Sequence, residues 1–255
     1  MTIQYCSDLH LEFRENEEYL LQHPIEPQAE VLILAGDVVP FARKNKAKHF
    51  LNELSDKFRV VYWLPGNHEY YGSDISQRSG CFREAIKHNV FLLNNQVVQE
   101  GNVHIICSTL WSYISPAAEW DIAAGVTDYR VISYHNEPFR PLHNNRMHKE
   151  NLAFIQKAVS EVNTGKIVVA THHLPTYQHY PEQYKNSTIS EAFATELSGY
   201  IASSPVDYWI YGHHHANVAD FTIGQTHMCT NQLGYVKYNE QHGYCNAAVI
   251  SIEAE

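Results

Sequence analysis

Oxygen and imidazole donors recur along this chain in small, well-separated groups. Asp8 and His10 stand two apart in Ser7-Asp8-Leu9-His10, Asp37 follows Gly36, and Asn67, His68 and Glu69 follow Gly66. Further on, His172 opens His172-His173-Leu174-Pro175, and Gly212 precedes His213, His214 and His215. Carboxylate, amide and imidazole groups of this kind suit manganese, iron or zinc. No cysteine belongs to the set, which argues against a structural zinc knot. Gathered in one place, the donors would make a dinuclear hydrolytic centre.

Residues two apart in an extended segment project to the same side, so Asp8 is expected to face with His10, and His213 with His215. Gly36 lets the backbone turn sharply before Asp37, whose two oxygens could serve two cations. Asn67 offers a neutral amide oxygen. His68 is a candidate proton donor, and Glu69 is expected to orient its ring, as acid–base histidines commonly need a partner. His172 is preferred over His173 because it comes first at its strand end. Each group alone has a plainer reading, as a surface turn, a helix cap or packing histidines. The ordered set carries the argument.

Every group follows an apolar run that reads as a β-strand. Strands are expected at 3–7, 31–35 and 60–64, with helical spacing at 42–58, a pattern for an α/β fold with a largely parallel sheet. Shorter strands are expected at 89–94, 97–101, 103–108, 167–170 and 208–211, helices at 144–162 and 189–201, and several strands within 219–252. Donors after parallel strands collect at the carboxyl ends, where open α/β sheets bind ligands. Segment 109–143 is long, aromatic and without a clear period, which marks a functional loop. Trp111, Asp128, Tyr129, Arg130, Tyr177 and Tyr184 are expected to shape a pocket. Arg130 is the candidate phosphate clamp, because a guanidinium pairs with two phosphate oxygens; its plainer reading is a surface arginine.

At 255 residues the chain fits one domain, 1–255, and 44% hydrophobic residues suffice for a core. No apolar run approaches the ~20 residues of a membrane span. The first residues read as a strand and not as a signal peptide. Five scattered cysteines without a CxxC pair fit reduced thiols and a cytoplasmic location. A net charge of −10 without a basic run weighs against nucleic acid and anionic membranes as partners. It leaves room for a small anionic substrate, because bound cations would dominate the local field.

The ordered motifs D-x-H, G-D, G-N-H-[DE], a histidine after a strand, and G-H-x-H run from Asp8 to His215. As a set they resemble the calcineurin-like metallophosphoesterases. The resemblance implies a four-layer α/β/β/α sandwich with two mixed β-sheets and a site along one edge. It implies two divalent metal ions, one held by Asp8, His10, Asp37 and His215, the other by Asp37, Asn67, His172 and His213. Asp37 would bridge, and His68 matches the leaving-group histidine. Glu69 stands where many members have aspartate. The implied reaction is hydrolysis of a phosphomonoester or phosphodiester in a small phosphorylated substrate by a hydroxide bridging the ions. A nuclease of the same family should show a basic groove, and a non-catalytic scaffold should have lost ligands or His68. Segments 109–143 and 177–187 lie outside the clear match, and substrate choice is expected there.

Overall fold

The structure, a computed structural model, describes residues 1–253. Two six-stranded sheets share one plan. The first runs, edge to edge, Val249–Ser251, Thr2–Cys6, Val31–Ala35, Val60–Leu64, Val90–Asn94 and Phe82–Lys87. Its four inner strands are parallel and both edge strands antiparallel. The second runs Phe221–Ile223, Thr226–Thr230, Tyr208–Tyr211, Lys166–Thr171, Val103–Ser108 and Gln96–Glu100, again with four parallel strands between antiparallel edges.

Alternation along each strand sends side chains to two faces, and both faces are apolar where strands lie inside a layered sandwich. Ile3, Ile33, Tyr62, Ile105, Val168 and Ile210 meet between the sheets. On the outer face of the first sheet, Leu32, Leu34 and Trp63 pack with Leu20 from helix Arg14–Gln22 and with Leu51 and Leu54 from helix Lys48–Lys57. On the outer face of the second, Ile106, Val169 and Trp209 pack with Ile155 and Val159 from helix Pro141–Glu161 and with Ile201 from helix Ser198–Ser203. The result is the four-layer α/β/β/α sandwich with two mixed sheets.

Some elements differ from the sequence reading. Segment 42–58 divides into a 3-10 stretch, Phe41–Ala47, with a non-helical Arg43, and then an α-helix. The helix expected at 189–201 is a 3-10 turn at Ser190–Ala192, a bridge from Ala194 to Leu174, and helix Ser198–Ser203. Its apolar residues follow the second sheet's outer surface without needing helical backbone. Segment 109–143 holds helices Glu119–Gly125 and Asp128–Val131 and a small hairpin, and it has its own core of Trp111, Ile122, Tyr129 and Phe139 with Tyr70.

Candidate metal centre

The parallel strands of both sheets deliver their carboxyl ends to one place. Asp37 lies at its middle, with Oδ2 3.7 Å from His10 Nε2 and Oδ1 3.4 Å from His172 Nε2. On one side His215 Nε2 stands 3.4 Å from Asp8 Oδ1 and 3.0 Å from His10 Nε2. On the other, His172 Nε2 stands 3.1 Å from His213 Nδ1 and 3.2 Å from Asn67 Oδ1. The donors thus form two groups, Asp8, His10, Asp37 and His215, and Asp37, His172 and His213, with Asn67 beside the second. Asp37 belongs to both and turns a different oxygen to each.

Backbone shape, rather than strand alternation, brings these groups together. Asp8, His10, Asp37, His213 and His215 all have positive φ, between 47° and 82°. Side chains with a Cβ seldom adopt that region, and such strain gathers at functional sites. Asp8 and His10 do share one group, as expected, but through positive-φ backbone and not an extended strand, and the expectation that His213 and His215 face one side is corrected. His213 and His215 serve different groups. Three glycines clear the space. A Cβ on Gly66 would lie 2.1 Å from Asp37 Oδ1, one on Gly36 2.4 Å from His172 Nδ1, and one on Gly212 2.6 Å from Asp8 Oδ2. Gly66→Ala is expected to weaken metal binding by ~10- to 100-fold or more, as for other displaced supports of a metal ligand. Titration with manganese checks this; unchanged affinity would mean that the glycine's proximity is incidental.

The arrangement fits cations. His10 Nδ1 faces Glu12 at 3.3 Å, His172 Nδ1 faces the Ala35 carbonyl at 2.9 Å, and His215 Nδ1 faces Glu240 at 2.6 Å. An imidazole that donates its Nδ1–H outward presents a bare Nε2 inward. His10 and His215 then meet Nε2 to Nε2 at 3.0 Å with their lone pairs towards each other, and His172 turns its bare Nε2 to His213 Nδ1 at 3.1 Å. Only a proton or a metal ion relieves such a contact. Burial opposes protonation of His172, but Asp37 and then Asp8 outweigh it and push it up to about 9. Burial likewise opposes the charged form of His215, and the Asp8 and Glu240 carboxylates push it up to about 10. Burial and neighbouring histidines hold His213 well below its ordinary value. His173 and His214 belong to neither donor group. His214 accepts from Gln232 Nε2, and burial holds His173 down to about 3 and His214 to about 4.

His68 sits beside the first group, and its partner is not the expected one. Its Nδ1 lies 2.9 Å from Glu12 Oε1, the same oxygen that receives His10. Glu69 instead accepts N–H groups from Asp37, Val38, Gly66 and the Trp63 indole at 2.7 to 2.9 Å. It fixes the backbone around Asp37, and orientation of His68 passes to Glu12. Burial, reinforced by Asp37, raises Glu69 to about 8, and bound cations would cancel the Asp37 share. Burial opposes ionisation of Glu12, but hydrogen bonds from His10 and His68 bring it down to about 2. Burial also opposes the charged form of His68, and Asp37 and Glu12 together raise it. Glu12 lies two residues beyond His10, and only its position in an apolar run marks it in the sequence. Tyr235 was equally hidden: its hydroxyl is 3.2 Å from His68 Nε2.

Residues 231–240 clamp the ligand loops. Leu233 N and Gly234 N donate to the Ser7 and Asp8 carbonyls, and Gln232 Oε1 accepts from His215 N at 2.7 Å. In front of the donors opens a cleft of about 390 Å³. Asp128 and Tyr184 line it, as do Thr127, Val126, Tyr180 and Phe193. The expected loop segments thus reach the cleft, but four residues chosen from them, Trp111, Tyr129, Arg130 and Tyr177, do not. Trp111 and Tyr129 are buried in the loop's own core, where Tyr129 stacks on Phe139 at 5.6 Å. Arg130 is exposed and donates to the Ala124 carbonyl and Thr127 Oγ1. Helix Asp128–Val131 turns Arg130 outward and gives the cleft Asp128 instead. Tyr177 caps Ala194 O and stays outside.

Comparisons with known proteins bear on the family and the fold. An uncharacterized protein of Acanthamoeba polyphaga mimivirus, L509, is 29% identical over 98% of this chain and 96% of its own length. Among solved structures, a phosphopantetheinyl hydrolase from Mycobacterium tuberculosis has the same fold. The match covers 95% of this chain and 92% of that one, with a TM-score of 0.71 at 19% identity. Residues 1–217 match the calcineurin-like phosphoesterase family. The clamp at 231–240 lies beyond that match. With its motifs, sheets and donor groups in agreement, this chain belongs to the calcineurin-like phosphoesterases.

Proposed function

We propose that the chain is a dinuclear metal-dependent hydrolase that cleaves a phosphomonoester or phosphodiester in a small molecule. The supporting observation is a pair of donor groups that share Asp37, with a carboxylate-held imidazole alongside. Two divalent ions, manganese, iron or zinc, would supply an activated water and a cationic seat for phosphate oxygens. Asp8, His10, Asp37 and His215 would hold one, and Asp37, Asn67, His172 and His213 the other. Asn67 is kept in place by its amide, which donates to Asp128 at 2.9 Å. His68 carries the proton that the departing oxygen needs, and Glu12 keeps its ring aligned.

A nuclease is less well supported, because no lysine or arginine lines the cleft. The described residues include no helix long and apolar enough to cross a membrane. Five free thiols suit a reducing compartment, and we place the protein in the cytoplasm. The test is turnover of nitrophenyl phosphate and of its bis-ester by protein stripped with chelator and reloaded with manganese. Turnover should vanish with the metal and return with it. Equal rates with and without metal, or none with any divalent ion, would refute the proposal. The Mycobacterium neighbour's name makes a phosphopantetheinyl group one substrate to include.

A further inference from the structure

The cleft beside the donors has an unusual balance of chemistry for a phosphate-binding site. Its lining includes Tyr71, Val126, Tyr180, Tyr184, Ile189 and Phe193, and no lysine or arginine. The cations nearest in sequence are committed elsewhere. Arg130 holds Ala124 and Thr127, Lys185 pairs with Glu182, and Lys237 lies over the Tyr238 ring at 5.9 Å. Two carboxylates, Asp128 and Glu240, also line the space. Asp128 accepts from Tyr71 Oη at 2.8 Å and from Asn67, so its carboxyl sits immediately beside the second donor group.

The apolar part is continuous with the reacting centre. Tyr71 stacks on His68 with ring centroids 3.9 Å apart, and Phe193 stacks on His213 at 4.9 Å. A Cβ on Gly125 would lie 3.2 Å from Ile189 Cγ2, so the 125–128 turn and the 189–193 segment close on each other. A phosphate held at the donors would therefore extend its organic group over aromatic and aliphatic surface. Any second phosphate along that path would meet apolar walls and the Asp128 carboxyl, with no lysine or arginine to hold it and with Glu240 already joined to His215, an arrangement that disfavours polyanions.

We propose that this cleft is a subsite for a single phosphate carried on an uncharged, largely apolar arm, and that it discriminates against arms bearing further phosphate or carboxylate groups. The inference rests on the phosphoesterase reading for where the phosphate sits. Cleft volume agrees, since small-molecule pockets of ~300–1,000 Å³ with mostly apolar walls and few polar groups are the general pattern.

Phosphonates test it without turnover, because their carbon–phosphorus bond resists hydrolysis. Calorimetric titration of the manganese-loaded protein would compare methylphosphonate, hexylphosphonate and 5-carboxypentylphosphonate. Hexylphosphonate is expected to bind at least ~10-fold more tightly than methylphosphonate, from burial of part of the added chain. The terminal carboxylate should remove that gain. In Ile189→Lys the ranking of the two longer ligands should reverse, which a merely damaged fold would not produce. Equal dissociation constants for the three ligands, or tighter binding of the carboxylate in the unaltered protein, would overturn the inference. Failure of nitrophenyl ester turnover alone would count against the hydrolase reading and leave this comparison standing.

Discussion

Asp37→Ala is expected to leave the protein unable to hold two metal ions and to reduce turnover of any phosphate ester by about a thousandfold or more. Metal ions in such centres contribute several kcal/mol of charge stabilisation, at ~1.36 kcal/mol per factor of ten in rate. Among the described residues Asp37 alone belongs to both donor groups, with Oδ2 towards His10 and Oδ1 towards His172. Its loss also leaves the His68 backbone N–H without the Oδ1 acceptor at 2.9 Å. Elemental analysis of the variant is the direct check. Two equivalents of retained metal would show that Asp37 does not bridge.

His68→Ala is expected to separate substrates by their leaving groups. An alkoxide needs a proton as it departs, and a nitrophenolate does not. General acid assistance is typically worth ~100- to 10,000-fold, so alkyl esters should lose about that much and nitrophenyl esters far less. Glu12→Gln should shift the same ratio in the same direction, more weakly, when assayed with saturating metal. Adding Glu12→Gln to His68→Ala should change the ratio little further, as for two residues acting through one group. Glu69→Gln should depress both substrate classes alike, because Glu69 accepts from the backbone around Asp37 and never touches the His68 ring. Equal losses on both ester classes in His68→Ala would remove it from the proton-donor role.

The strand ends and their donors were legible in the sequence because three signals coincide there. A buried parallel strand gives a continuous apolar run, a glycine permits the close turn, and a polar donor follows at once. Val31–Ala35 with Gly36 and Asp37 has all three. Tyr235 follows Gly234 but no buried strand runs up to it, and Glu12 follows neither a glycine nor the end of a strand. Their roles arise from a meeting of segments 223 residues apart in number but adjacent in space, with His68 between them. Arg130 shows the opposite failure. Its charge invited a binding role, but a four-residue helix, Asp128–Val131, sets which side chain faces the cleft. The charged run from Arg14 likewise hid a helix, because only Asn16 and Leu20 of Arg14–Gln22 are buried.

The clamp at 231–240 has a bearing on how the protein matures. A nascent polypeptide that has emerged from the ribosome as far as His215 already carries every donor. It still lacks Glu240, which anchors His215, and Leu233 and Gly234, which pin the turn at Ser7 and Asp8. The outer neighbour of the first strand, Val249–Ser251, arrives later still. On the proposed dinuclear reading, cofactor loading is expected to wait until synthesis has passed this stretch, and a single proteolytic nick within it is expected to weaken metal binding while leaving all the donors intact.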